Sequence, residues 1–400
     1  MKIIFYLLFI LLSVSSFAQY DYDVSGNLEG QARHSWNNDL AKDLYQDWKQ
    51  EDFYLIYGNL NTKLDFKSSR FEANIFGRHS QSDLYKNRNS PLLPPYFAPQ
   101  IFNFPNKLVA RDILKLKYET EGEDSRSELI LNKLYYEWDY DQHRFMIGRI
   151  YINYGLGEIF NPINPFNQPT GLTGISQIAQ GNDGLNFTFY KSRRHTIDFY
   201  FLGDKSIDGY EGQIDRTAWA HGEYLYTKRL QLDYVIGEDQ RRNKLGGQIK
   251  YDFSKAMIFL QALYQSEFTD KTDSEQLWDA MLGYDQQVTN KWHIRFEGGY
   301  QKKNRFADLT NNNNRFLPTE YFVALSNQYD IHPLVKLGGT FINDIKSGFT
   351  YFITRNTLDL GYSSELDLFA NIPLAKGTHI ENAAQKLVTT DVGLALRKFF

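Results

Sequence analysis

Along most of the chain apolar and polar side chains alternate with a period of two, the mark of strands with one apolar and one polar face. From Trp292 to Tyr300 the alternation is unbroken. Trp292, Ile294, Phe296, Gly298 and Tyr300 take one face, and His293, Arg295, Glu297, Gly299 and Gln301 the other. The design recurs through the C-terminal half. Leu230, Leu232, Tyr234 and Ile236 oppose Arg229, Gln231, Asp233 and Gly237, while Leu245, Gly247, Ile249, Tyr251 and Phe253 oppose Gly246, Gln248, Lys250 and Asp252. Leu358, Leu360 and Tyr362 oppose Asp359, Gly361 and Ser363, and Leu366 and Leu368 oppose Glu365 and Asp367. Val388, Thr390, Val392, Leu394, Leu396, Lys398 and Phe400 share one face of the last segment.

Each of these runs has about the length a tilted strand needs to cross a bilayer, roughly 9–11 residues. A soluble sandwich or propeller would also alternate, but no repeat of about 40–50 residues is present. The connections also fit a membrane barrel, which has short turns at one end and long loops at the other. Ser192–Arg194, Thr227–Arg229, Ser254–Lys255, Thr289–Lys291 and Ile331–Pro333 are short. Gly203–Ile214, Glu238–Lys244, Phe268–Glu275, Lys302–Pro318 and Lys346–Arg355 are long and polar. Tyr224 with Tyr226, Tyr251 with Phe253, and Trp292 with Tyr300 stand near strand ends, where aromatic girdles meet the headgroups.

The N-terminal half is less regular. Strands are predicted near Tyr22–His34, Asp52–Phe66, Arg70–His79, Leu108–Glu119, Ser127–Trp138 and His143–Ile152. Pro91, Pro94, Pro95, Pro99 and Pro105 rule out ladder interior between them. Up and down strands do not alternate to closure across this stretch or across Asn371–Lys386. The pattern therefore predicts an all-β fold, a single closed antiparallel transmembrane barrel over residues 19–400. It predicts about sixteen strands, within roughly fourteen to eighteen.

The first eighteen residues follow another rule. Lys2 precedes an apolar run from Ile3 to Val14, and Ser16-Phe17-Ala18 is a small-x-small cleavage site. The run is well short of the ~20 residues a membrane helix needs. A signal peptide cut after Ala18, leaving Gln19, is expected. The chain has no cysteine, so neither a lipid-modified N-terminus nor disulfides are available. A closed barrel, held by its inter-strand ladder, needs none. Mean hydropathy is −0.50 and no other apolar run has helical membrane length. Aromatics reach 16 %, with 28 Tyr and 30 Phe. Removing Lys2 takes the formal net charge from −4 to −5, too mild to name a partner, and no basic stripe suggests nucleic acid.

Candidate chemistry is sparse. Asp21-x-Asp23-x-Ser25-Gly26 begins like a calcium loop, but Ala32 stands where a bidentate Glu is required. There is no P-loop and no H-E-x-x-H. His34, His79, His143, His195, His221, His293, His332 and His379 are scattered without metal spacing. Asn186-Phe187-Thr188 matches a glycosylation acceptor but sits in a strand. His293 beside Arg295 and Glu297 is what a polar lumen face carries by default. No catalytic residue, metal or cofactor is expected.

One segment stands apart. Gly148-Arg149-Ile150-Tyr151-Ile152-Asn153-Tyr154-Gly155-Leu156-Gly157 runs into Asn161-Pro162-Ile163-Asn164-Pro165-Phe166-Asn167. Proline fixes φ and pushes the preceding residue to extended geometry, so this loop should be stiff. Continuing to about Asp183, it is long enough to fold inward; the plainer reading is a loop whose Asn-Pro turns merely cap the barrel. The pattern G-R-x-x-I-x-x-G-x-G … N-P-x-x-x-F-N resembles porin-like Gram-negative outer-membrane barrels, including the alginate-export type. Ser364-Glu365-Leu366-Asp367-Leu368 is similar to their penultimate strand. The closing strand ending on Phe400 resembles the signal read by the barrel assembly machinery.

The resemblance implies an outer-membrane channel for passive diffusion of small polar or charged solutes, in contact with outer-membrane lipid and lipopolysaccharide. Its constriction loop would be Asn161, Pro162, Asn164, Pro165, Phe166 and Asn167. By parity the pore would be lined by Arg149, Arg229, Asp233, Lys250, Asp252, Arg295, Glu297, Lys336, Asp359, Glu365 and Asp367. The rival reading is a plugged barrel that binds or exports an extracellular polysaccharide, of capsule-assembly or alginate-export type. The chain lacks the dense arginine ladder expected for a polyuronate. An enzyme ranks third, and the chain is too short for a plugged siderophore transporter of 22 strands.

Overall fold

The structure, a computed structural model, describes residues 21–36, 50–82, 109–111, 117–122, 124–164, 166, 181–205, 214–239, 242–267, 276–301, 320–346, 348, 350–375 and 390–400. The expected signal segment lies outside the described residues. The first strands are β1 (Asp21–Trp36), β2 (Gln50–Asp65), β3 (Ser69–Ser82), β4 (Val109–Arg111), β5 (Lys117–Glu121), β6 (Ser125–Tyr140) and β7 (His143–Tyr151). Next come β8 (Gly181–Ser192), β9 (His195–Lys205), β10 (Ile214–Leu225), β11 (Leu230–Asp239), β12 (Arg242–Phe253), β13 (Ala256–Glu267) and β14 (Gln276–Thr289). The last are β15 (Trp292–Gln301), β16 (Tyr321–His332), β17 (Val335–Asp344), β18 (Thr350–Gly361), β19 (Ser364–Ala375) and β20 (Thr390–Phe399).

Eighteen of these close one antiparallel barrel, and no helix occurs among the described residues. Consecutive strands pair, with β3 passing directly to β6. β20 returns to β1 in a register from Asn27↔Phe399 to Trp36↔Thr390. Closure leaves no unpaired edge, which a sheet in lipid cannot tolerate.

The expectation of about sixteen strands is corrected to eighteen, the top of the expected range. The reason lies at Leu108–Glu119, read as one strand. Its described residues form only β4, parallel to β8, and β5, beside the start of β6, and neither joins the ring. Counting it as a spanning strand puts an odd element between β3 and β6 and spoils the alternation of up and down. Without it, the alternation closes.

The period of two becomes two environments. Ile236, Leu245, Ile249, Leu368, Leu394 and Leu396 are exposed on the outer face, while Asp233, Gln248, Asp367 and Arg397 are buried on the inner one. At the short-turn end, Trp138 and Tyr140, Tyr224 and Tyr226, and Tyr251 and Phe253 form ring pairs 6.0, 6.3 and 4.6 Å apart. Tyr264 with Trp278 (4.7 Å) and Tyr300 with Tyr321 (4.9 Å) do so at the other end. Eight short turns gather at one end: 66–68, 141–142, 193–194, 226–229, 254–255, 290–291, 333–334 and 362–363. Two long loops expected at the opposite end, Glu238–Lys244 and Lys346–Arg355, shrink to 240–241 and 345–349, because β11, β12 and β18 pair further than their apolar alternation extends.

Candidate functional site

After Tyr151 the chain leaves the wall and crosses the interior. Tyr154 stacks on His221 of β10 at 4.2 Å with 7° between the rings, and Phe166 meets Trp219 of β10 edge-on at 5.5 Å. Ile152 and Ile163 complete an apolar cluster with Tyr200, Leu202, Val235 and Leu263. Between these contacts the segment reaches a second cluster, where Phe160 packs on Phe259, Met281, Phe322 and Ile342. Residues 152–164 and 166 thus touch strands from β9 to β18 and fold into the barrel.

The motif explains how the segment holds this shape. Asn161 Nδ2 donates to the Tyr154 carbonyl at 2.7 Å, and Asn164 Nδ2 to the same oxygen at 3.3 Å. The Phe166 amide donates to Asn164 Oδ1 at 3.2 Å. The two Asn-Pro asparagines therefore tie the loop to its own root. Gly155 has φ +79°, which disfavours a side chain, and a Cβ there would stand 2.8 Å from Asn161 Nδ2. At Gly157 a Cβ would lie 2.6 Å from the Phe160 carbonyl carbon. The two glycines of G-x-G let the segment fold back on itself.

Its far end is latched to β15. Glu297 accepts the Glu158 amide at 2.8 Å on one carboxylate oxygen and the Ile159 amide at 2.9 Å on the other. Arg295 Nε donates to Glu297 at 2.8 Å, and its terminal nitrogens reach Glu158 (3.0 Å), Asp285 (3.1 Å) and the Leu156 carbonyl. Its guanidinium lies over the Phe259 ring. Asp285 also meets His293 Nε2 at 2.6 Å. At the root, Arg149 is fully buried. It grips Asp183 of β8 with two bonds, 2.6 and 2.9 Å, and donates to the Leu131 carbonyl of β6 at 2.9 Å.

The other sequence-predicted positions lie around the inner face. Asp233 accepts from Gln231 (3.0 Å) and Gln248 (2.5 Å), and Gln261 extends the chain to Gln248 at 2.6 Å. Lys250 pairs with Asp252 at 3.2 Å. Arg397 joins Glu365 (3.0 Å), Asp367 (3.3 Å) and Glu29 (2.6 Å), stitching the barrel seam. Lys336 and Asp359 share the inner parity of Ile342 and Ile353 but lie exposed near the short-turn end. Arg229 stands in the 226–229 turn, at the rim rather than on a strand. Asn161, Pro162, Asn164 and Phe166 are all buried in the inward segment; Pro165 and Asn167 lie outside the described residues. A cavity of about 570 Å³ opens at the short-turn end beside Asp285, His293 and Asp330.

Sequence reasoning passed over Glu158 within the segment and the partners around it: Asp183 and Asp285 among the charges, and Trp219, His221, Phe259, Met281 and Phe322 among the rings and apolar groups. A signal was present. Phe259-Leu260 and Met281-Leu282 put apolar side chains on both faces at one height, and an apolar residue on a polar face needs a cover.

No protein-family model matches the chain, and no curated protein matches it. Solved structures do. A BenF-like porin from Pseudomonas fluorescens Pf-5 superposes with a TM-score of 0.60 at 9 % identity, over 95 % of this chain and 98 % of that one. Acinetobacter baumannii OccAB4 does so at 0.58 and 10 % identity, over 96 % and 99 %. Pseudomonas aeruginosa OccK5 (OpdH) gives 0.57 and 10 %, over 94 % and 98 %. At these identities the likeness is one of architecture, and by that architecture the chain is a porin-like β-barrel.

Proposed function

We propose that the protein is an outer-membrane channel for passive diffusion of small polar or charged solutes, narrowed by residues 152–166. The observation that carries this reading is the inward segment itself. It leaves the wall at β7 and is fastened to the opposite wall by Glu297 and Arg295, so it narrows the interior without depending on outer loops. An apolar outer face with aromatic ends supports membrane insertion, and the likeness to a porin supports a channel rather than an enzyme.

In this reading Arg229, Asp233, Lys250, Asp252, Arg295, Glu297, Lys336, Asp359, Glu365 and Asp367 line the pore or its mouth, and Arg149 positions the root of the segment. The signal peptide is removed after Ala18, and the closing strand bearing Phe400 is the part offered to the assembly machinery. Purified barrel reconstituted into planar bilayers tests the proposal. Discrete, ohmic conductance steps are expected, and a properly folded barrel that gives none overturns it.

A further inference from the structure

The charges of this barrel divide into two populations. On the inner face, Arg33, Arg78, Arg149, Arg295, Arg355 and Arg397 are each held by a carboxylate. At the short-turn end the rule reverses. Four consecutive turns, 193–194, 226–229, 254–255 and 290–291, contain Arg193, Arg194, Lys228, Arg229, Lys255 and Lys291 and no acidic residue. All six are exposed, and among the described residues none has a side-chain hydrogen bond or ion pair. The adjacent turns differ: 141–142 carries Asp141 and no cation, and 333–334 is uncharged.

Each of these turns is also flanked by an outward ring. Tyr226 precedes Lys228, Phe253 precedes Lys255, Trp292 follows Lys291, and His195 follows Arg194. Tyr224, Tyr226, Phe253 and Trp292 are exposed on the outer face, and His195 meets the Tyr234 hydroxyl at 3.1 Å. Amphipathic rings at a strand end mark the depth of the headgroups, and long cationic side chains just beyond them reach the phosphates. Neighbouring hairpins stand ~10 Å apart, so four turns span an arc of roughly 30 Å on one side of the barrel.

We propose that this arc, from Arg193 to Lys291, is a binding collar for anionic phospholipid headgroups at the short-turn face of the membrane. The proposal rests on the reading that the barrel is membrane-inserted. The charge complementarity is one-sided, so the collar would enrich anionic lipid along β8–β15 and leave the seam side, β19–β20–β1, without such enrichment.

Native mass spectrometry of the full barrel, released from mixed phosphatidylcholine and phosphatidylglycerol micelles, tests it against a variant carrying R193Q, R194Q, K228Q, K255Q and K291Q. A loop-end substitution, K346Q, serves as control. Wild type and control should retain phosphatidylglycerol preferentially, and the fivefold-substituted variant should lose that preference by about fivefold per bound lipid. Added salt should weaken retention by wild type. Equal retention of the two lipids by wild type, or an unchanged preference in a variant that still runs as a folded barrel on unheated gels, overturns the proposal. An acidic soluble protein as the true partner would give the first of these results. A wild type that conducts in bilayers but shows no lipid preference refutes the collar alone and leaves the channel reading standing.

Discussion

Replacing Glu297 with alanine isolates the latch on the inward segment. Its two carboxylate oxygens each take one backbone amide, Glu158 and Ile159, in a site where the side chain is 1 % exposed. Hydrogen bonds to a charged group contribute about 1.5–3 kcal/mol each, so losing both costs the docked segment about 3–6 kcal/mol. Arg295 is not orphaned by the change, because Asp285 of the neighbouring strand β14 still holds it at 3.1 Å. The loss therefore falls on the segment rather than on the wall. At 1.4 kcal/mol per decade, the undocked population rises ~100-fold or more. Two assays read it. Limited proteolysis in detergent should cut E297A within 152–166 much faster than wild type, while unheated gels show the barrel intact. Single-channel recordings should show larger, noisier conductance. E297Q keeps one acceptor oxygen and should fall between the two. If E297A matches wild type in proteolysis and in open-channel noise, the segment is not held by this carboxylate and the latch argument fails.

Arg149→Ala removes the guanidinium from a fully buried pair and leaves Asp183 uncompensated, a loss of about 3–5 kcal/mol. The temperature at which the folded band disappears on gels should drop, with R149K intermediate because lysine cannot grip both oxygens. The ten positions proposed to line the pore or its mouth comprise four cations and six anions, a net of −2 with both signs present, so reversal potentials under a potassium chloride gradient should show only a weak cation preference. A strongly ion-selective potential would show that only a subset of these charges governs the pore. Protein taken from an outer-membrane fraction should begin at Gln19 on N-terminal sequencing, and a retained Met1 would refute the cleavage expected after Ala18.

Much of the fold was legible because lipid and lumen impose opposite polarity on alternate residues. Leu394 and Leu396 point out beside Ala395 and Arg397 pointing in, and no other arrangement of that strand satisfies both environments. Where the alternation weakened, so did the reading. Leu108–Glu119 has strand-like composition, but whether a segment enters the ring depends on which neighbour its ladder meets. That is settled by β3 pairing with β6 across more than forty residues, a long-range choice that local composition does not encode.

The candidate site was legible at one end only. Gly155, Gly157, Asn161 and Asn164 announce a stiff loop because their geometry is local: a positive φ, two prolines, and side chains reaching back a few residues. The landing points are far away in sequence. Glu297 and Arg295 were placed on the inner face by parity, but parity cannot tell a charge facing water from one clamped to a backbone 139 residues away. Met281 and Phe259 carry the missing information, since a polar lumen does not tolerate them bare. Apolar residues on the polar face of neighbouring strands at one height mark the footprint of whatever covers them. Here that footprint, from Phe259 across Met281 to Phe322, outlines where Phe160 comes to rest. Emptying it without touching the loop, by Met281→Ser and Phe322→Ser together, should release the segment as E297A does. A docked, protease-resistant segment in that variant would show that the polar latch alone suffices.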